Sequence, residues 1–271
     1  MRIDLHMHTT ASDGTLTNSE LVSLLGDHDI ERFSVTDHDT IESSLRMGAI
    51  AARAGLDFVL GAEFSSTFEG KEYHILSYRF DPDHPAIQEL LANHQDIRVN
   101  GDLEGVEYLA SRHDEIDATE YASYDYDRSR GGWKSYNYVL DKGAASDIPG
   151  YLALFAERPR QFVFSHPSEV TGAVNAAGGL CILAHPSAYV YGDLLPESTM
   201  EQFIEFGVSG FECYTPYRRD AEGQQYYANF CRQHGVRVSA GSDLHGAFTP
   251  DRKLADPPIT TEMIDMDDIF S

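Results

Sequence analysis

Cysteine is scarce in this chain. Cys181, Cys213 and Cys231 form no C-x-x-C spacing and leave one unpaired, which excludes a disulfide framework and reads as three small buried side chains of a reducing cytoplasm. No apolar run approaches the roughly 20 residues that cross a bilayer. The strand pattern entered at Arg2 lacks the basic start and apolar stretch of a secretory signal, so a cytoplasmic location with no membrane partner is expected. Basic residues are few as well, 20 against 44 acidic ones, for a formal net charge of −24. A surface of that sign repels phosphate backbones at a distance, whereas a polynucleotide binder carries a basic stripe. No polymeric nucleic acid is expected as a partner, and a phosphorylated substrate must be small or be drawn in by cations within the site. There is no internal repeat and no low-complexity tract. What remains is 271 residues, 42% hydrophobic and 11% aromatic, enough to bury one large α/β domain with an insertion, or two smaller domains.

Short apolar runs recur at residues 2–5, 32–36, 57–62, 73–78, 180–184, 209–213 and 236–240, several of them rich in Val, Ile and Phe as buried parallel strands are. Helical patterns lie between them: one behind the capping box Thr17-Asn18-Ser19-Glu20, one over 41–54 that stops at Gly55, and others over 168–177, 199–206 and 220–234. Strand alternating with helix predicts a parallel sheet. Residues 81–165 break the rhythm. They hold a helix near 85–98, the tyrosines 121, 124, 126, 136 and 138, the stretch Ser129-Arg130-Gly131-Gly132-Trp133-Lys134, and a helix-like segment 147–157 ended by Pro159. Eight of the twenty basic residues fall here: Arg98, Arg112, Arg128, Arg130, Lys134, Lys142, Arg158 and Arg160. This predicts a barrel from 1–80 and 166–271, with 81–165 inserted as a mainly helical lid.

Nine residues in separated clusters share one chemistry: His6 and His8 in DLHMH, Asp13 in SDG, His38 in TDHD, Glu63 in GAE, His74 in EYH, His185 in AHP, and Asp243 and His245 in SDLH. Imidazole and carboxylate without thiolate suit Mn²⁺, Fe²⁺ or Zn²⁺, and nine donors exceed the needs of one ion. His6 and His8 share a strand face with Asp4, while Ile3, Leu5 and Met7 take the other. His38, Glu63, His185, Asp243 and His245 each follow an apolar run directly, where a (β/α) barrel places its active site. His28, His84, His94, His113, His166 and His234 lack that context. Asp4, Asp37 and Asp39 read equally as groups that orient the imidazoles and as caps.

The succession DLHMHTTASDG, TDHD, GAE, EYHIL, LAHP and GSDLH, spanning residues 4–246, resembles the PHP (polymerase and histidinol phosphatase) superfamily and, within it, the small stand-alone bacterial phosphoesterases. The segment 80–165 matches only loosely. The resemblance implies a distorted seven-stranded (β/α) barrel and two or three divalent ions. It implies that His6, His8, Glu63 and Asp243 hold one ion, Asp13, His38 and His245 a second, and Glu63, His74 and His185 a third.

Ions roughly 3.5 to 4 Å apart share a bridging water, lower its pKa and bind phosphoryl oxygens, which prepares hydrolysis of a phosphate ester. Asp13, Asp243 and His245 are the expected catalytic residues, with Asp13 or His245 a candidate acid for the leaving group. Arg130, Lys134 and Arg218 are candidates for a phosphate that does not react; ordinary surface cations, which is how Arg219 reads, are the alternative. Trp133 and Tyr136 stack on a base or form the lid's own core. By resemblance the substrate is a small phosphorylated nucleotide or sugar, of nucleoside 3',5'-bisphosphate or cyclic-phosphate type. The competing readings are an exonuclease acting on nucleic-acid ends, a histidinol phosphate phosphatase, and a metal-stabilised scaffold without turnover.

Overall fold

A computed structural model of the chain describes residues 1–157 and 162–270; Arg158, Pro159 and Arg160 lie outside the described residues. Seven strands form one sheet in chain order: β1 (Arg2–Asp4), β2 (Ile30–Val35), β3 (Asp57–Phe68), β4 (Lys71–Tyr78), β5 (Leu180–Leu183), β6 (Gly210–Tyr214) and β7 (Arg237–Ala240). Helix α1 (Asn18–Asp27) joins β1 to β2, and α2 (Glu42–Ala54) joins β2 to β3. Both are punctuated as their sequences require. Thr17 and Glu20 make the capping box at the start of α1, and Gly55 ends α2 at φ 73°, a left-handed position that glycine takes without a Cβ penalty.

The sheet is not wholly parallel, as the alternation of strand and helix suggested. β4 runs antiparallel to both β3 and β5, while the other neighbouring pairs are parallel. The reason lies in the connection. β3 continues six residues beyond the predicted end, to Phe68, and only Glu69 and Gly70 separate it from β4, at φ 50° and 73°. Two left-handed residues make a tight hairpin, whereas a parallel crossover needs about a dozen or more. The hairpin sets Ser65 opposite His74 in register.

β1 and β7 share no ladder among the described residues. The chain just beyond them meets at a single parallel bridge, Met7 to Leu244, where the His8 N–H donates to the Leu244 carbonyl at 2.8 Å. Asp4 ties the same ends together, with Oδ1 accepting from the backbone N–H of His6 at 3.2 Å and of Ser242 at 3.0 Å.

After β4 the chain leaves the sheet through a 26-residue helix, α3 (Pro85–Ala110), twelve residues longer than the periodicity suggested, then α4 (Ala118–Ser123), α5 (Lys134–Asp141) and α6 (Ile148–Ala153). These carry their own apolar cluster, with Tyr108, Tyr121, Tyr136, Tyr138, Tyr151 and Phe155 buried together and Trp133 against them. The tyrosines of the insert are therefore largely its core. Helices α7 (Pro167–Ala176), α8 (Glu197–Glu205) and α9 (Ala221–His234) complete the outer layer over β5 to β7. Cys181, Cys213 and Cys231 are free and buried. No helix among the described residues is long and apolar enough to cross a membrane.

Candidate metal centre

All nine donors meet at one place, on the loops and strand ends after β1, β2, β5 and β7 and on the facing rungs of the β3–β4 hairpin. Glu63, fully buried, is the hub. Its Oε2 lies 3.1 Å from His6 Nε2, 3.1 Å from His8 Nε2 and 3.2 Å from His38 Nδ1, and its Oε1 lies 3.1 Å from His74 Nδ1 and 3.0 Å from His185 Nε2. Asp243 Oδ1 closes the deepest group, 3.2 Å from His6 Nε2 and 3.3 Å from His8 Nε2. Asp13 gathers the outer one: Oδ1 is 3.5 Å from His8 Nδ1 and 3.3 Å from His245 Nε2, and Oδ2 is 3.8 Å from His38 Nε2. Three groups could each hold an ion: His6, His8, Glu63 and Asp243; His8, Asp13, His38 and His245; and His38, Glu63 and His74. The first matches the expected set. The second adds His8, and the third places His38 where His185 was expected, with His185 reaching the same Glu63 oxygen.

The spacing fits a cation better than hydrogen bonds. Ligand atoms about 2.0 to 2.2 Å from an ion lie roughly 3 to 3.5 Å from one another. His8 Nε2 and His38 Nδ1 sit at such distances from Glu63 yet make no hydrogen bond, although both are buried. Burial opposes charge on the three carboxylates, but opposite neighbours override it: Glu63 beside His6 and His38, Asp13 beside His245 and His38, and Asp243 beside His6 and His245 are all held well below the usual carboxylate range. Burial pulls His8 and His74 down, yet their carboxylate neighbours push them up to about 9 and about 10. His38 follows its burial down to about 3, a neutral imidazole suited to ligation. Carboxylates kept ionised at this depth call for positive charge, which divalent ions bound by these donors would supply.

The backbone is shaped to the same end. His185 at φ 28° and Asp243 at φ 49° occupy the left-handed region that non-glycine residues rarely adopt, a pattern common at functional sites. At Gly241 a Cβ would fall 2.2 Å from the His6 Cβ and 2.8 Å from Glu212 Oε1, so only glycine lets β7 pass so close to β1.

A ring of supporting groups surrounds the donors, and sequence reading missed most of it. Glu212 on β6 bonds His6 Nδ1 at 3.0 Å and accepts the His185 N–H at 2.7 Å. Tyr217 and Arg252 donate to Asp243 Oδ2 at 2.8 Å and 2.7 Å, leaving Oδ1 to the cage. Asp37 binds the 9–13 loop through Thr9 and Ser12. Asp39 accepts from Ser65 N, from His94 Nδ1 at 2.7 Å and from Arg98 Nε at 2.7 Å. Alternation along FECY put Glu212 on the inner face and was the available signal. His94 and Arg98 gave one only as an i, i+4 pair on α3.

The expected phosphate cations are dispersed. Arg130 pairs with Asp141, and Arg218 donates to the Gly192 carbonyl at 2.7 Å and pairs with Asp220; neither lines the two cavities that open beside Asp13 and His38. Arg219 pairs with Asp256 at the surface. Lys134 does line one of those cavities, its Nζ 4.6 Å from the centre of the Tyr121 ring.

No family model matches the chain. It is similar to a 5'-3' exoribonuclease of Haemophilus influenzae, 27% identical over 249 residues and 90% of both chains. It is also similar to a 3',5'-nucleoside bisphosphate phosphatase of Chromobacterium violaceum, 26% identical over 258 residues, covering 90% of this chain and 87% of the other. A Bifidobacterium adolescentis protein assigned as a metal-dependent phosphoesterase shares the fold, with a TM-score of 0.81 at 23% identity over 96% of this chain and 93% of that one. The similarity spans about nine-tenths of the chain, and the donors of all six motifs converge at one end of the seven-stranded sheet. The chain has the fold of a metal-dependent phosphoesterase and, in its motifs and its gathered donors, is similar to the PHP-type enzymes.

Proposed function

We propose that this enzyme hydrolyses phosphate esters of small nucleotides, with a nucleoside 3',5'-bisphosphate as the leading candidate. The observation that carries the reading is the convergence of three carboxylates, two of them buried, and six imidazoles on shared distances of 3.0 to 3.8 Å, with Glu63 common to two of the three groups. His6, His8, Asp13, His38, Glu63, His74, His185, Asp243 and His245 would hold two or three divalent ions, Mn, Fe or Zn, which when bound would supply a nucleophile of lowered pKa and neutralise phosphoryl oxygens.

The protein's own part is position and access. His6, His8 and Glu63 have no side-chain exposure, so they fix the floor; Asp13, His38 and His74, at 15%, 16% and 21%, form the open edge where substrate arrives. Asp13 and His245, 3.3 Å apart at that edge, are the pair suited to pass a proton to the leaving oxygen. Asp243, clamped on one oxygen by Tyr217 and Arg252, orients the other. The net charge of −24 disfavours long polynucleotides, and the exoribonuclease relative makes short RNA ends the second reading.

The test is phosphate release by metal-loaded protein from nucleoside bisphosphates, cyclic phosphates, sugar phosphates, histidinol phosphate and short oligoribonucleotides. Turnover of the bisphosphates above the rest is expected. Preference for oligoribonucleotides would transfer the reading to RNA ends, and no turnover with any divalent metal would leave a scaffold.

A further inference from the structure

The edge formed by Asp13 and His38 opens into a cavity of about 710 Å³, bounded by α3 on one side and by the segment after α4 on another. That volume falls in the range of small-ligand sites, roughly 300 to 1,000 Å³. Tyr124 and Tyr126 line it together with the two donors. The chain leaves α4 extended, with Tyr124 at φ −67° and ψ 136°, so residues two apart turn to one side. The two rings are accordingly parallel to within 6°, their centroids 6.4 Å apart.

Both rings are held at their far ends. The Tyr124 hydroxyl donates to Asp141 Oδ2 on α5 at 2.6 Å, and the Tyr126 hydroxyl donates to the Gly132 carbonyl at 3.0 Å. The Gly132 N–H in turn donates to the Asp13 carbonyl at 2.8 Å, so Tyr126 stands two hydrogen bonds from a donor of the metal centre. That joint needs glycine: at φ 69°, a Cβ on residue 132 would fall 2.8 Å from the Phe248 ring.

Packing of the insert does not account for Tyr126. Tyr121, Tyr136 and Tyr138 are buried in its apolar cluster, and Tyr124 lies against them, 5.1 Å from the Tyr138 ring centre. Tyr126 is outside that cluster and half-buried, and among the described residues Tyr124 is its one ring partner. A ring tethered at both ends, spared by the core and turned to a cavity is a face already ordered for a planar ligand, which lowers the entropy lost on binding.

We infer that the paired faces of Tyr124 and Tyr126 are the base site: a nucleobase stacks on them while the phosphoryl group lies at the Asp13–His38 edge. This deepens the phosphoesterase reading and rests on it for turnover, though not for binding. Ring faces read planarity rather than a hydrogen-bond pattern, so purine and pyrimidine nucleotides both enter, the larger purines more tightly.

The experiment compares Tyr126→Leu and Tyr126→Phe on a nucleoside 3',5'-bisphosphate and on a base-free ribose bisphosphate. Tyr126→Leu is expected to raise KM for the nucleoside compound on the order of tenfold more than for the base-free one, and Tyr126→Phe, which keeps the ring, to show no such difference. Equal effects on both compounds, or the same effect in both variants, overturn the base site. Loss of bound metal in Tyr126→Leu would instead make Tyr126 a support of Asp13 through Gly132 and remove it from the site. Titration of the metal-loaded protein with a fluorescent aminopurine ribonucleotide, whose emission falls on stacking, reads the same faces without turnover. Quenching by the wild type and by Tyr126→Phe, lost in Tyr126→Leu, upholds the site even if no ester is hydrolysed. Unquenched emission with the wild-type protein overturns it.

Discussion

Glu212 holds two donors at once: Oε1 bonds the Nδ1 of His6 at 3.0 Å, and Oε2 accepts the backbone N–H of His185 at 2.7 Å. A carboxylate on one ring nitrogen fixes the tautomer that presents the other to a metal. The Nε2 of His6 accordingly faces Glu63 and Asp243.

Glu212→Gln keeps the shape but turns an amide NH₂ toward one of two donors. Metal affinity should fall roughly 10- to 100-fold. Competition with a chelating indicator measures it, and wild-type affinity would show that Glu212 does not orient the cage.

Tyr217 and Arg252 share Oδ2 of Asp243, but one donor is neutral and the other charged. Losing either bond to the ionised carboxylate should cost about 1.5 to 3 kcal/mol, and losing Arg252 also takes away a buried ion pair. Arg252→Met should therefore lower kcat/KM more than Tyr217→Phe does, with the double variant less than additive because both act on one oxygen. Steady-state kinetics on the four proteins decides, and additive effects would mean that the two residues do not act through Asp243 together.

Gly241→Ala places a Cβ 2.2 Å from the Cβ of His6 and 2.7 Å from its backbone nitrogen. Backbone atoms cannot step aside as a flexible side chain can, so a loss of about 3 kcal/mol or more is expected. Thermal unfolding reads it. A variant of wild-type stability would mean that β1 and β7 are not packed as described.

The three thiols should be silent in the native state. Burial pushes Cys181 up to about 12 and Cys213 well above its ordinary value, so little thiolate exists at pH 8. Because an unfolded thiol ionises near 8.5 and the buried one near 12, the Cys181 contribution to stability is present below pH 8.5 and is lost as pH rises between those values. Titration with a thiol reagent at pH 8 should find no reactive group until denaturant is added; rapid labelling of native protein would place a cysteine at the surface.

The nine candidate donors, the chemistry they share and the number of strands were legible in the sequence, because most of these donors sit next to an apolar run and that adjacency is local. His6 and His8 were paired by strand period alone, and the end of α2 by Gly55. The direction of β4 was also written locally, in the two residues Glu69 and Gly70, but a short apolar run looks the same in either direction until its connection is measured. Other decisions belong to the tertiary structure alone. His94 read as an ordinary histidine, yet it lies buried on Asp39, 55 positions away, and Glu212 meets His6 across 206. Arg130 and Arg218 looked available for phosphate until Asp141 and Asp220 came within reach. A side chain's partners depend on which distant residues the fold brings within about 3 Å. No spacing along the chain encodes that distance, so the sequence identified the cage and the tertiary structure chose its supports and the shape of its mouth.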